Sequence, residues 1–147
     1  MKAIQILFAI IVCAPLALSQ EPDSAAARIL GQWFTAEGES KIEIYRCDSV
    51  TYCGRIVWLR DPLKDGKPVV DDKNPEDTLR SRPVLGLELL RGFRYKGDGV
   101  WGSGRIYDPK SGNDYSAKMT MVDQDNLDLR GYVVIPLFGR TEHWTRP

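Results

Sequence analysis

From residue 31 onward, apolar and polar positions trade places at every second residue, the period of a strand with one buried face. Ile42 and Ile44 alternate with Lys41, Glu43 and Tyr45, and Leu85, Leu87 and Leu89 alternate with Gly86, Glu88 and Leu90. Tyr115, Ala117, Met119 and Met121 alternate with Ser116, Lys118 and Thr120. Leu127, Leu129, Gly131, Val133 and Ile135 do the same against Asp128, Arg130 and Tyr132. Cys53 to Leu59 adds a strand rich in β-branched and aromatic side chains, and Arg91 to Lys96 reads as a solvated strand. Turn-forming clusters separate these runs at Glu37-Gly38-Glu39, Lys96 to Gly99, Ser111-Gly112-Asn113 and Asp123 to Asn126. The pattern predicts an all-β fold, an antiparallel up-and-down barrel of about eight strands. Helical periodicity is confined to one short N-terminal stretch, Asp23 to Leu30.

Two residues bear on how such a barrel closes. Trp33 stands in Gly31-Gln32-Trp33 at the start of the first strand, and Arg140 follows Gly139 in the last. In lipocalin-like barrels a guanidinium from the last strand roofs an indole in the first, a contact of about 0.5–2 kcal/mol. Closure also removes the exposed sheet edges that recruit other chains. The pairing expected here is Trp33 with Arg140.

Met1-Lys2, the apolar run Ile4 to Val12 and the small residues Ala17-Leu18-Ser19 describe a cleavable signal peptide over residues 1–19. That run is too short to span a bilayer, and no later segment is longer, so stable membrane insertion is not expected. A periplasmic or secreted protein follows, with one barrel domain over residues 20–147. Cys13 leaves with the leader, and Cys47 and Cys53 form an even pair in an oxidising compartment. We expect them to be disulfide-bonded across a turn between neighbouring strands; their spacing is not that of a redox C-x-x-C motif. Charge is balanced, with 20 basic and 20 acidic residues over the whole sequence, which gives no electrostatic reason to expect nucleic acid or an anionic membrane as a partner.

Two segments depart from the short-strand pattern. Arg60 to Pro83 is long, charged and punctuated by prolines at 62, 68, 75 and 83, and is expected to act as a lid over the barrel mouth. Ile135-Pro136-Leu137-Phe138-Gly139 is an apolar turn, expected to plug one barrel end; left outside, it would offer a patch to a partner or a lipid surface. The strand starts Gly54-Arg55-Ile56 and Gly104-Arg105-Ile106 echo one another, each running on to an Asp-Pro turn, as two strands meeting the same rim would.

The motifs Gly31-x-Trp33, Cys53 to Leu59, Asp72-Lys73-Asn74-Pro75, Arg82 to Gly86, Ile106-Tyr107-Asp108-Pro109-x-x-Gly112 and Gly131-Tyr132 through Gly139-Arg140-Thr141-x-x-Trp144 occur in this order. In this they resemble a widespread bacterial family of small exported proteins, catalogued as a domain of unknown function. The resemblance implies a lipocalin-like (calycin-like) barrel in the periplasm or beyond, with no established activity and therefore no catalytic residue to assign.

Candidate chemistry is sparse. His143 is the only histidine and reads as an exposed strand residue; no metal site or cofactor is called for. Asp71, Asp72, Asn74, Glu76 and Asp77 are rich in oxygen, but Lys73, Arg80 and Arg82 beside them suggest ion pairs rather than a cation site. No catalytic constellation is recognisable, and the chain reads as a binding protein rather than an enzyme. Val57, Leu85, Leu87, Leu89, Tyr115, Met119 and Met121 are expected to face inward. An eight-stranded interior is either filled by side chains or holds one small ligand. Gly102, Gly104 and Gly131 add no volume, which favours a cavity for a small, largely apolar molecule. The alternative is a filled barrel working through the 135–139 turn and the 60–83 loop.

Overall fold

The computed structural model describes residues 22–147, so the expected leader lies outside the described residues. A short helix, α1 (Pro22–Ala27), precedes β1 (Gly31–Phe34), β2 (Ser40–Arg46) and β3 (Tyr52–Leu59). A small hairpin, β4 (Leu63–Lys64) with β5 (Lys67–Pro68), interrupts the long segment. The chain continues with β6 (Glu88–Gly97), β7 (Val100–Asp108), β8 (Asn113–Met121), β9 (Asn126–Tyr132) and β10 (Gly139–Thr145). Eight of these strands close into an antiparallel barrel in which each pairs with its sequence neighbour and β1 with β10. The expected up-and-down meander is what forms.

One end of the barrel is solid. Trp33, Trp101, Trp144, Phe93, Ile42, Ile44, Leu90, Met119 and Leu127 are fully buried, and Ile29, just beyond α1, joins the same cluster. Two glycines make room for this packing. A Cβ on Gly54 would stand 2.7 Å from Leu90 Cδ1, and one on Gly104 would stand 2.4 Å from the Phe93 ring. The repeated Gly-Arg-Ile starts of β3 and β7 therefore flank β6 and leave space for its two bulky side chains. Register slips where Gly54 pairs with Leu90 but Arg55 pairs with Glu88, leaving Leu89 as a bulge. Leu89 and Leu90 are consequently both buried.

Closure is real, but the arginine is not the expected one. β1 and β10 share a single register pair, Phe34 with Thr145, which sets Arg146 beside Trp33. The Arg146 guanidinium lies 3.8 Å from the centre of the Trp33 ring. Its Nη2 donates to the Arg28 carbonyl at 2.7 Å, and its Nη1 to the Leu30 carbonyl at 2.9 Å. The indole Nε1 donates to the Ile29 carbonyl at 2.9 Å. Arg140 shares the face of Arg146 but is six residues nearer the other end, about 20 Å along an extended strand.

Cys47 and Cys53 form the expected disulfide across the β2–β3 turn, with a Cα–Cα distance of 5.6 Å. Asp48 orders that turn by accepting hydrogen bonds from the backbone N–H groups of Val50 and Thr51, both at 2.8 Å.

Candidate functional site

The opposite end of the barrel is open. Its rim consists of the turns 35–39, 109–112 and 133–138, with the 60–87 segment alongside. Below the rim lie two adjoining hollows of about 480 and 420 Å³ that share Ile106, Asp108, Arg140 and Glu142. Ile42, Ile56, Leu89 and Trp144 form the wall on one side, and Tyr115, Leu129 and Gly131 on the other. The interior is thus neither wholly filled nor wholly empty: a packed base carries a cup. Gly131 widens it, because a Cβ there would meet nothing closer than Ile106 Cγ2 at 3.7 Å. Gly104, expected to do the same, instead yields its space to Phe93.

Polar groups gather at the lip. Lys110 and Glu39 form an ion pair that ties the β7–β8 turn to the β1–β2 turn. The hydrogen bond from Lys110 holds Glu39 below the usual carboxylate range, and the same bond raises Lys110. Asp108 organises its own Asp-Pro turn, accepting from the Lys110 backbone N–H at 2.9 Å and from Ser111 Oγ at 2.7 Å. Inside, Glu142 Oε2 accepts from Trp144 Nε1 at 3.2 Å. Arg140, on the same face of β10, has no hydrogen-bond or ion-pair partner among the described residues. Among the described residues the cup therefore combines aliphatic and aromatic side chains with the carboxylates of Asp108 and Glu142 and the unpaired guanidinium of Arg140.

The expected site residues distribute unevenly. Leu89 and Tyr115 line the cup. Met119 is fully buried in the packed base, and Met121 is partly buried against it. Leu87 is buried ahead of β6, its carbonyl accepting from the Ile56 N–H at 2.9 Å. Val57 falls out of phase, since Ile56 is the buried residue of that pair and Val57 only half-buried. Leu85 is 49% exposed, because it precedes the strand and its alternation was borrowed from a loop. Ile42, Ile56, Ile106, Leu129, Glu142 and Trp144 were not singled out. The signal for the last two was available: Arg140, Glu142 and Trp144 share one strand face at period two.

The 60–83 segment is not a lid, since none of the residues lining the cup comes from it. It is latched to the barrel instead. Asp71, fully buried, accepts from Tyr107 Oη at 2.7 Å, Asn74 Nδ2 at 2.8 Å and Arg82 Nε at 2.9 Å. Burial alone would raise Asp71; the hydrogen bonds from Tyr107, Asn74 and Arg82 and the Arg82 charge outweigh it and hold the carboxyl below its usual range. Gly112, at φ +75°, lies so close beneath the Lys73 carbonyl that a Cβ would come within 2.0 Å of it. The oxygen-rich cluster is thus an ion-pair latch, with Arg80 also pairing with Asp77. The apolar 135–139 turn does not plug the barrel either, for Leu137 and Phe138 are largely exposed. His143 is exposed and pairs with Asp128 at 2.5 Å.

An eight-stranded antiparallel barrel with a sealed base and an open mouth defines a lipocalin-like protein. The chain belongs to the family described as "Uncharacterized protein conserved in bacteria (DUF2147)", which matches residues 31–146. Protein HP1028 from Helicobacter pylori, described as belonging to the lipocalin family, is similar in structure. The TM-score is 0.69 at 20% identity, covering 80% of this chain and 82% of that one, a likeness of fold. No curated protein matches the chain.

Proposed function

We propose that this protein is an exported, non-catalytic carrier that holds one small, largely apolar molecule in the mouth cup, with a polar or anionic end beside Arg140. The observation that carries the reading is the cup itself. Hollows of about 480 and 420 Å³ fall in the size range of small-molecule sites, and their walls set Ile42, Ile56, Leu89, Ile106 and Leu129 beside the polar groups of Asp108, Arg140 and Glu142. The uncommitted Arg140 guanidinium gives the amphiphile an orientation, and burial of its chain supplies the affinity, at about 25 cal/mol per Å². The basic, apolar and small-residue pattern of residues 1–19 supports export to the periplasm or beyond.

Trp144 in the cup wall provides the readout. Titration with a panel of fatty acids, retinoids and haem should give a saturable change in tryptophan fluorescence for at least one of them. Gly131→Leu, which puts a side chain into the cup from a strand position of ordinary φ, should abolish that response and leave the circular dichroism unchanged. A flat response across the panel, or undiminished binding by the Gly131→Leu protein, sinks the reading.

A further inference from the structure

The turn between β9 and β10 presents its apolar side chains to solvent. Val133, Val134, Leu137 and Phe138 are 71%, 80%, 75% and 72% exposed, and Ile135 is 44% exposed. Contiguous apolar surface of this kind marks a contact surface rather than ordinary scatter. Nor is it a turn that has failed to collapse, because its outward shape is built. Arg130 Nε donates to the Pro136 carbonyl at 2.6 Å, its Nη2 to the Leu137 carbonyl at 3.2 Å and its Nη1 to Thr141 Oγ1 at 2.8 Å. The 3-10 turn Pro136–Phe138 is thereby fixed with Leu137 and Phe138 outward, although the cup opens directly beside it.

The charges beneath the turn identify what would cover it. From residue 129 to residue 141 the chain carries Arg130 and Arg140 and no acidic residue; Arg140 faces the cup, which it shares with Asp108 and Glu142, and Arg130 lies on the outer face. The partners of Arg130 are two carbonyls and a hydroxyl, so its charge is not neutralised. Lys118 sits opposite Arg130 in the β8–β9 ladder, adding a second cation on that outer face. An apolar tip on a cationic base fits a surface whose outer layer is anionic and whose interior is hydrocarbon. A symmetric contact with a second copy would set these same cations against one another with no carboxylate from the turn to separate them.

We propose that residues 133–138 form a docking tip for an anionic phospholipid surface, the apolar side chains entering the acyl boundary and Lys118 and Arg130 facing the phosphates. This docking does not depend on the carrier reading. Because Val133, Leu137 and Phe138 also edge the cup, it would set the open mouth against the bilayer.

The test is co-sedimentation of the purified protein with vesicles of phosphatidylcholine alone or mixed with phosphatidylglycerol. Binding is expected to the mixed vesicles and to weaken as salt is raised. The double variant Leu137→Ser, Phe138→Ser, with an unchanged circular dichroism spectrum, should lose roughly tenfold or more in affinity. Lys118→Gln, which leaves the Arg130 clamp in place, should weaken binding to the anionic vesicles only. Three results would overturn the proposal: no sedimentation with either vesicle, undiminished binding by the double variant, or a concentration-dependent dimer dispersed by it. The last would make a second copy the occupant.

Discussion

Arg146 and Arg140 share a strand face and do different work. Arg146 roofs Trp33 and donates to the carbonyls that lead into β1, so Arg146→Ala should destabilise the barrel by about 2–4 kcal/mol. Arg140 has no partner to lose among the described residues, and Arg140→Ala should shift stability by no more than about 0.5 kcal/mol. Chemical denaturation of the two variants separates them, and equal losses would argue against this assignment of the clasp. The pairing of an early indole with a late guanidinium was legible through the resemblance to lipocalin-like barrels, which close in this way. That resemblance did not give the register, which depends on where β1 and β10 meet, and a shift of six residues replaces one arginine with the other. Glycine was ambiguous for a related reason. Gly104 and Gly131 look alike in sequence, yet one is filled by Phe93 from a neighbouring strand and the other is open. Gly104→Ala should accordingly cost about 1–3 kcal/mol, read as a lowered midpoint in thermal unfolding.

At the scale of elements, the 60–83 segment shows what composition alone conceals. Its carboxylates suggested self-neutralisation, and Asp71 with Arg82 and Asp77 with Arg80 are indeed paired. Its length suggested a lid, but its anchor, Tyr107, comes from a distant strand that no local pattern in the segment reveals. The latch also carries a pH dependence. The folded state holds Asp71 below the ordinary carboxyl value of 3.8, so folding favours the ionised form. The stabilisation is therefore complete at neutral pH and is lost as pH falls through the depressed value. Asp71→Asn should lower stability at neutral pH by about 1–3 kcal/mol, and the difference from the parent protein should narrow below about pH 4. Thermal unfolding of both proteins across that range checks it; a gap that stays constant with pH would remove Asp71 as the titrating group.

Across the whole molecule the barrel is polarised, with Trp33, Trp101 and Phe93 packed at one end and a cup with a charged lip at the other. Fold class, strand count, closure and the disulfide were all legible, since each depends on local periodicity or short spacing. The division into base and cup was not, because it depends on which inward side chains reach across to one another in a sheared cylinder. The apolar turn was visible as an anomaly, but its side chains face solvent only because Arg130 ties its carbonyls back to the barrel.

The seam between the first and last strands has a bearing on biogenesis. One ladder pair and one side chain join residues more than a hundred positions apart, so the cylinder stays split until residue 146 has been synthesised. Until then both flanking strands carry bare amide edges, ready to zip onto any neighbouring chain. A polypeptide built this way gains from being kept unfolded until it is complete, as happens when a chain is threaded across a membrane before it folds.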